Sequence, residues 1–171
     1  KTTDKGANWI QNSQFSNAGY ISRIHLSNAD TGFAIGDKDI LRTSDGGNSW
    51  EKVYQLNYPY LNDLFVVNAN TIYVCGGSGP DNIILKTTNG GNEWINLHPN
   101  VSQTCKAIAF INSQTGFCSS EYNGSQRMLK TTNGGVNWSS QVVNFSAWGS
   151  GNIVMIDSNI TYVNSWSQMF K

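Results

Sequence analysis

The sequence predicts an all-β chain, a β-propeller built from four-stranded antiparallel blades. Three observations carry this. A nine-residue segment recurs four times without gaps, at residues 1–9, 42–50, 86–94 and 130–138, and its tryptophans are spaced 41, 44 and 44 apart. A second, apolar motif recurs out of phase with the first, as in Ile24 to Leu26 followed by Gly32 to Gly36 and Leu64 to Val66 followed by Ile72 to Gly76. The composition favours turns, with 22 Asn and 19 Ser among 171 residues, because these side chains offer the backbone local hydrogen bonds that compete with helix.

Each unit supplies four strands. In the first complete unit these are an inner strand from Tyr20 to Leu26, a second from Gly32 to Ile35, a third from Ile40 to Thr43 and a fourth from Trp50 to Tyr54. The same order is expected around Ile108 and Gly116, and around Ile153 and Ile160. The runs alternate or stay apolar for three or four residues and stop at Gly or Asn, which is strand rather than helix periodicity. Four strands in about 43 residues leave no room for a helix and match the size of one propeller blade. The chain is therefore one propeller region, residues 1–171, with repeats near 1–11 (an outer strand alone), 12–54, 55–98, 99–142 and 143–171 (incomplete). Four repeats are expected to form part of a larger ring. The alternative is a closed four-bladed ring in which Trp9 to Gln11 pairs with the last blade.

The nine-residue segment has a physical logic. An acceptor side chain, Asp4, Asp45, Asn89 or Asn133, precedes a glycine, Gly6, Gly47, Gly91 or Gly135, that tolerates positive φ. A hydroxyl from Thr2, Thr43, Thr87 or Thr131 stands two residues before each acceptor and can join the same turn network. Trp9, Trp50, Trp94 and Trp138 then open the next strand with a large apolar ring, expected to pack over the turn or between blades. The sixteen residues are read as a structural fastener, not as a binding site.

Thr-x-Asp/Asn-x-Gly-x-x-Trp resembles the Asp-box of bacterial neuraminidase (BNR) repeats, and Gly32 to Gly36 followed by Ile40 to Trp50 is similar to the Ycf48-like family of photosystem II assembly factors. The resemblance covers the whole chain and implies a propeller. It leaves function open, because such boxes also occur in sialidases, xyloglucanases and receptors. In the Ycf48-like family the partner contact is expected to use an arginine-rich patch, whereas this chain holds Arg23, Arg42 and Arg127 alone.

Composition narrows the function classes. Eleven basic and 11 acidic residues provide no field for nucleic acid or for an anionic membrane. No apolar run approaches the roughly 20 residues of a membrane span. Five Asn-x-Ser/Thr sequons are about what chance gives in a chain this rich in these residues. Cys75, Cys105 and Cys118 lack metal-ligand spacing; Cys105 and Cys118 fall on adjacent strands, with buried free thiols as the default. No cofactor and no metal are expected.

Candidate ligand-face residues are aromatic or polar and lie on inner strands or in the loops at one end of the blades: Tyr58, Tyr60, Tyr122, Trp148 and Trp166, with Arg23, His25, Asp63 and Arg127. Rings mixed with amides and carboxylates suit a protein or glycan ligand. Arg23 and Asp63 can equally pair between neighbouring blades, and His25, between Ile24 and Leu26, reads as an interior histidine. A sialidase-type hydrolase needs an arginine cluster and a nucleophile paired with an acid. Arg42 belongs to the basic slot before each box, and Glu51, Glu93 and Glu121 form no carboxylate pair. The expectation is a non-catalytic scaffold that binds a protein or glycan in a secreted or cell-surface bacterial protein. Alternatives are a sialidase-like fragment or a photosystem assembly factor in the thylakoid lumen.

Overall fold

A computed structural model describes residues 1–11, 20–57, 60–77, 82–97, 104–122, 125–142, 150–157, 160–165 and 169–170. Blade 1 is an antiparallel sheet of β1 (Arg23–Leu26), β2 (Gly32–Ile35), β3 (Asp39–Thr43) and β4 (Glu51–Gln55). Blade 2 comprises β5 (Leu61–Val66), β6 (Ile72–Gly76), β7 (Ile83–Thr87) and β8 (Ile95–Asn96), and blade 3 comprises β9 (Thr104–Phe110), β10 (Gly116–Tyr122), β11 (Ser125–Thr131) and β12 (Ser139–Val142). A fourth sheet holds β13 (Ser150–Met155), β14 (Thr161–Ser165) and β15 (Met169–Phe170). Strands follow sequence order in every sheet, as hairpin connections of this length require. The inner strands lie beside one another in turn, β1 on β5, β5 on β9 and β9 on β13.

The core lies between blades. Phe33 and Ile35 of blade 1 pack with Leu61, Leu64, Val66, Ile72 and Val74 of blade 2. One blade further on, Tyr73 and Cys75 pack with Cys105, Ile108, Phe110 and Cys118. The register makes these the same core twice, since Ala34, Val74 and Cys118 pair with Ile24, Leu64 and Ile108. On the outer side of blade 1, Ile24 and Leu26 occupy the positions of Leu64 and Val66 but are exposed. They line a cleft of about 380 Å³ with Thr2 and Trp50.

Residues 1–11 carry the box turn, closed by the Lys1 backbone nitrogen donating to the Ile10 carbonyl at 2.8 Å and the Ile10 N–H donating to the Lys1 carbonyl at 2.7 Å. No strand forms there, and among the described residues none of this segment pairs with the last sheet.

Each box is built the same way. The hydroxyls of Thr2, Thr43, Thr87 and Thr131 accept from the N–H of Gly6, Gly47, Gly91 and Gly135, each at 2.9 Å. Each hydroxyl also donates to the acceptor side chain two residues on, at 2.7–3.1 Å. That oxygen in turn accepts the N–H four residues along, from Asn8, Ser49, Glu93 or Asn137. Asn89 and Asn133 therefore do the work of Asp4 and Asp45. The second glycine of each turn has φ between 80° and 91°, where L side chains are strained. In the first box Lys5 holds φ 59° at the place where the others have glycine.

The tryptophans divide. Trp50, Trp94 and Trp138 are half-buried, their rings lying 3.5–3.7 Å from the Cβ position of the glycine three residues before, and the Trp94 indole N–H donates to the Gly91 carbonyl at 3.1 Å. Trp9 departs from the expected packing at 74% exposure, because no blade lies outside residues 1–11 among the described residues to cover it.

Hydrogen bonds from the Ser49 hydroxyl and N–H, then from Thr43 and Asn48, hold the Asp45 carboxyl down at about 2. The sign follows. A carboxylate whose folded value lies below its unfolded value of about 3.9 contributes stability above pH ~4 that is lost as the pH falls toward 2. Asp45→Asn keeps the acceptor and removes this dependence. The stability gap between wild type and Asp45→Asn, measured by urea denaturation, should be pH-independent above 4 and shrink between pH 4 and 2; a constant gap throughout would contradict this.

Candidate functional site

Arg23 and Asp63 occupy equivalent positions on β1 and β5, opposite Ile35 and Cys75. The Arg23 Nε lies 3.3 Å from the Asp63 Oδ1. The other carboxylate oxygen accepts the Ile108 N–H of β9 at 3.0 Å. One side chain thus ties three blades. Burial pushes the Asp63 carboxyl up, and the Ile108 N–H and Arg23 charge pull against it without prevailing. At the neighbouring bulge in β5, where Leu61 and Asp63 pair and Asn62 is skipped, the Asn62 amide donates to the Cys105 carbonyl of β9. Among the described residues no further strand pairs with the free edges of β1, β5 and β9. Asn62 and Asp63 supply the partners that such an edge otherwise leaves exposed.

Tyr60 sits just before β5 and is held in an unusual state. Its φ is 76°, rare for a bulky residue, and its side chain is 57% exposed. The Tyr60 and Leu61 N–H groups both donate to the Asp37 carbonyl of blade 1, at 3.1 and 3.0 Å, and the Gly77 N–H donates to the Tyr60 carbonyl at 2.9 Å. A Cβ at Gly76 would come within 2.2 Å of that carbonyl oxygen, so the close approach requires glycine there. Tyr20 precedes Ile21 as Tyr60 precedes Leu61, and it is 76% exposed. Two phenols thus project from the same end of adjacent inner strands. Such local strain, held by surrounding hydrogen bonds, clusters at functional positions.

The remaining candidates scatter. His25 is on an exposed strand, with its ring edge-on to Phe65 at 6.4 Å. This corrects the expected interior histidine: on the face of β1 opposite Ile24 and Leu26, His25 meets blade 2 only at the edge of Phe65 and stays exposed. Arg127 donates to the Ser140 hydroxyl within blade 3 at 3.2 Å, so it does not join Arg23. Tyr122 ends β10, while Tyr58, Trp148 and Trp166 lie outside the described residues. Arg42 bonds Glu51, and Glu93 contacts Asn89. These acids belong to the boxes, and no set of three or more His, Cys, Asp and Glu arranged to hold a metal occurs among the described residues.

Sequence reasoning missed what the basic slot before each box does. Lys1 Nζ donates to Asn48 Oδ1 at 2.9 Å, Arg42 to the Gly90 carbonyl at 2.8 Å and Lys86 to the Gly134 carbonyl at 2.9 Å. Each cation thus reaches the box of the next repeat. The signal was the recurrence of the slot, but its target lies 47 or 48 residues away.

Removing the Asp63 carboxylate leaves a buried N–H and a guanidinium without their partner. Asp63→Ala should lower stability by about 2–4 kcal/mol. Asp63→Asn, which keeps an acceptor for Ile108, should lose less than half of that. Equal losses in urea denaturation would show that the Ile108 bond contributes nothing.

Comparison with known proteins fits this architecture. No curated protein matches the sequence. Among solved structures, one described as YCF48 bound to D1 peptide superposes with a TM-score of 0.63 at 19% identity, covering 88% of this chain and 51% of that one. YCF48 from Cyanidioschyzon merolae gives 0.62 at 19% identity, with 88% and 55% covered, so the chain spans about half the length of these structures. An ancestral GH74 enzyme gives 0.71 at 18% identity, covering 89% of this chain and 22% of that one. At these identities the likeness is one of fold, and it identifies the four-stranded sheets as propeller blades. The family described as photosynthesis system II assembly factor YCF48 matches residues 1–167, and the chain belongs to that family.

Proposed function

We propose that this chain is a non-catalytic propeller scaffold that binds an extended polypeptide at the blade end from which Tyr20 and Tyr60 project. The observation that carries the reading is Tyr60, a bulky side chain held exposed at φ 76° by Asp37, Gly76 and Gly77. A backbone already held in place leaves less entropy to lose on binding, and tyrosine supplies a large amphipathic ring at recognition surfaces. Membership of the assembly-factor family supports a protein ligand over a glycan, as does the peptide bound to the YCF48 relative. A photosystem subunit segment met in the thylakoid lumen is the partner class that the family favours over a bacterial cell-surface ligand.

The recognition chemistry differs from an arginine clamp. Arg23, Arg42 and Arg127 are each engaged within the fold, and the chain has no net charge. Aromatic area and backbone hydrogen bonding then dominate, so binding should be nearly independent of salt.

An array of extended peptides, a glycan array and a fluorogenic sialoside, applied to the same sample, separate the classes. Saturable binding to peptides without turnover is expected. Tyr20→Ala and Tyr60→Gly should each weaken the best peptide about tenfold. Tyr60→Gly should leave stability unchanged or raised by about 0.5 kcal/mol, since glycine accepts the positive φ. Glycan binding alone, sialoside turnover, or peptide affinity untouched by both substitutions would sink the reading.

A further inference from the structure

The three cysteines of the chain are far apart in sequence and meet at one point. Cys75 is on β6, Cys105 on β9 and Cys118 on β10, and all three are fully buried. They share one core cluster between blades 2 and 3. Cys118 Sγ lies 2.7 Å from Cys105 Sγ, and Cys75 contacts Cys118 from the neighbouring blade.

The repeat shows what this point normally holds. By register, Cys75, Cys105 and Cys118 correspond to Ile35, Leu61 and Val74. Those three meet in the same way between blades 1 and 2, and all are buried aliphatics. Packing alone is therefore satisfied by branched aliphatic side chains at this point. In the next core the whole set is replaced by thiols, on three strands from two blades.

We propose that Cys105 and Cys118 form a redox-responsive disulfide site, with Cys75 as an adjacent third thiol. Oxidation joins the two sulfurs. Both thiol protons are lost, and two electrons pass to a small-molecule disulfide, which is reduced to two thiols. The bulge at Lys106, where Ser119 pairs with Ala107 and Ser120 with Cys105, is what brings these diagonal positions together, since bulges bend and twist a strand locally. The bridge ties the inner strand of blade 3 to its second strand. Burial raises the Cys118 thiol well above its ordinary value and the Cys75 thiol to about 11. Exchange therefore requires opening of the interface between blades 2 and 3, and a formed bridge is shielded from reductant.

A three-coordinate soft-metal site is the competing use of three thiols. Metal–sulfur bonds of about 2.3 Å hold sulfurs well apart, whereas Cys105 and Cys118 are already closer than thiols in ordinary contact. The geometry favours the covalent bond.

The test incubates the folded chain with oxidised or reduced glutathione, then combines differential alkylation, peptide mapping and thermal denaturation. Under oxidised glutathione one bridge, Cys105 to Cys118, is expected, with Cys75 still alkylatable after unfolding and Tm raised by about 5 °C. Cys118→Val and Cys105→Leu, the side chains the repeat itself uses at these places, should fold and abolish the shift, while Cys75→Ile should retain it. Three free thiols in both buffers, a bridge made mainly by Cys75, or metal retained on native mass spectrometry would each overturn the proposal.

Discussion

Blades 1, 2 and 3 each depend on one small turn. Its threonine hydroxyl is shared between a glycine N–H and an Asp or Asn oxygen, and that oxygen holds the N–H at the far side of the turn. The turn does more than close a hairpin. Its first glycine N–H donates to the carbonyl of Asp30, Asn70 or Gln114 in the preceding hairpin of the same blade. The carbonyls of Gly90 and Gly134 take the cation of the blade before, and Tyr73 adds its hydroxyl to Gly134 at 3.1 Å. Blade order is thereby written into backbone groups that would otherwise need water. Because the acceptors are backbone carbonyls, the tie demands a formed turn and not a particular side chain at the glycine.

The same arrangement explains the frugal use of charge. A β-fold with exposed hairpins could spread its ions over the surface, but here the repeated cation is spent on the next box. Between the blades, aromatic stacking continues the link: Tyr73 lies 3.7 Å from Phe110, ring centroid to centroid, and Phe110 meets Trp138 edge-on. Burial pushes the Tyr73 phenol up to about 12, so it remains a hydrogen-bond donor at any physiological pH. Asp63 is the inward counterpart, connecting three inner strands where no further strand can pair. Tyr20 and Tyr60, by contrast, stand exposed at the blade end.

Much of this architecture was legible in residue order, for a physical reason: each blade repeats its own hairpins, so local spacing exposes strand count, turn chemistry and period together. The second and third strands of blade 1 fall within a residue of where their apolar runs place them. Relations between blades were not legible in that way. The ties from Lys1, Arg42 and Lys86 and the meeting of the three thiols join different phases of the repeat, and the register has to be known before those residues can be seen as neighbours. His25 illustrates the opposite error, since alternation with Ile24 and Leu26 places it on the other face of β1 but does not say how fully blade 2 covers that face, where it meets only the edge of Phe65. The ligand-face candidates were legible only as a type, aromatic residues in loops. Backbone strain at Tyr60 has no signature beyond Gly76 and Gly77.

The central claim is that the threonine–Asx–glycine network is a closed, persistent unit of the fold and not a surface loop that happens to share a sequence. Amide hydrogen exchange followed by NMR addresses it directly at Gly47, Gly91 and Gly135, whose N–H groups donate to threonine hydroxyls. Protection comparable to that of the buried β2 and β6 amides is expected, with all three exchanging only when the blades come apart. Exchange at the rate of an open loop, while β2 and β6 remain protected, would contradict the claim.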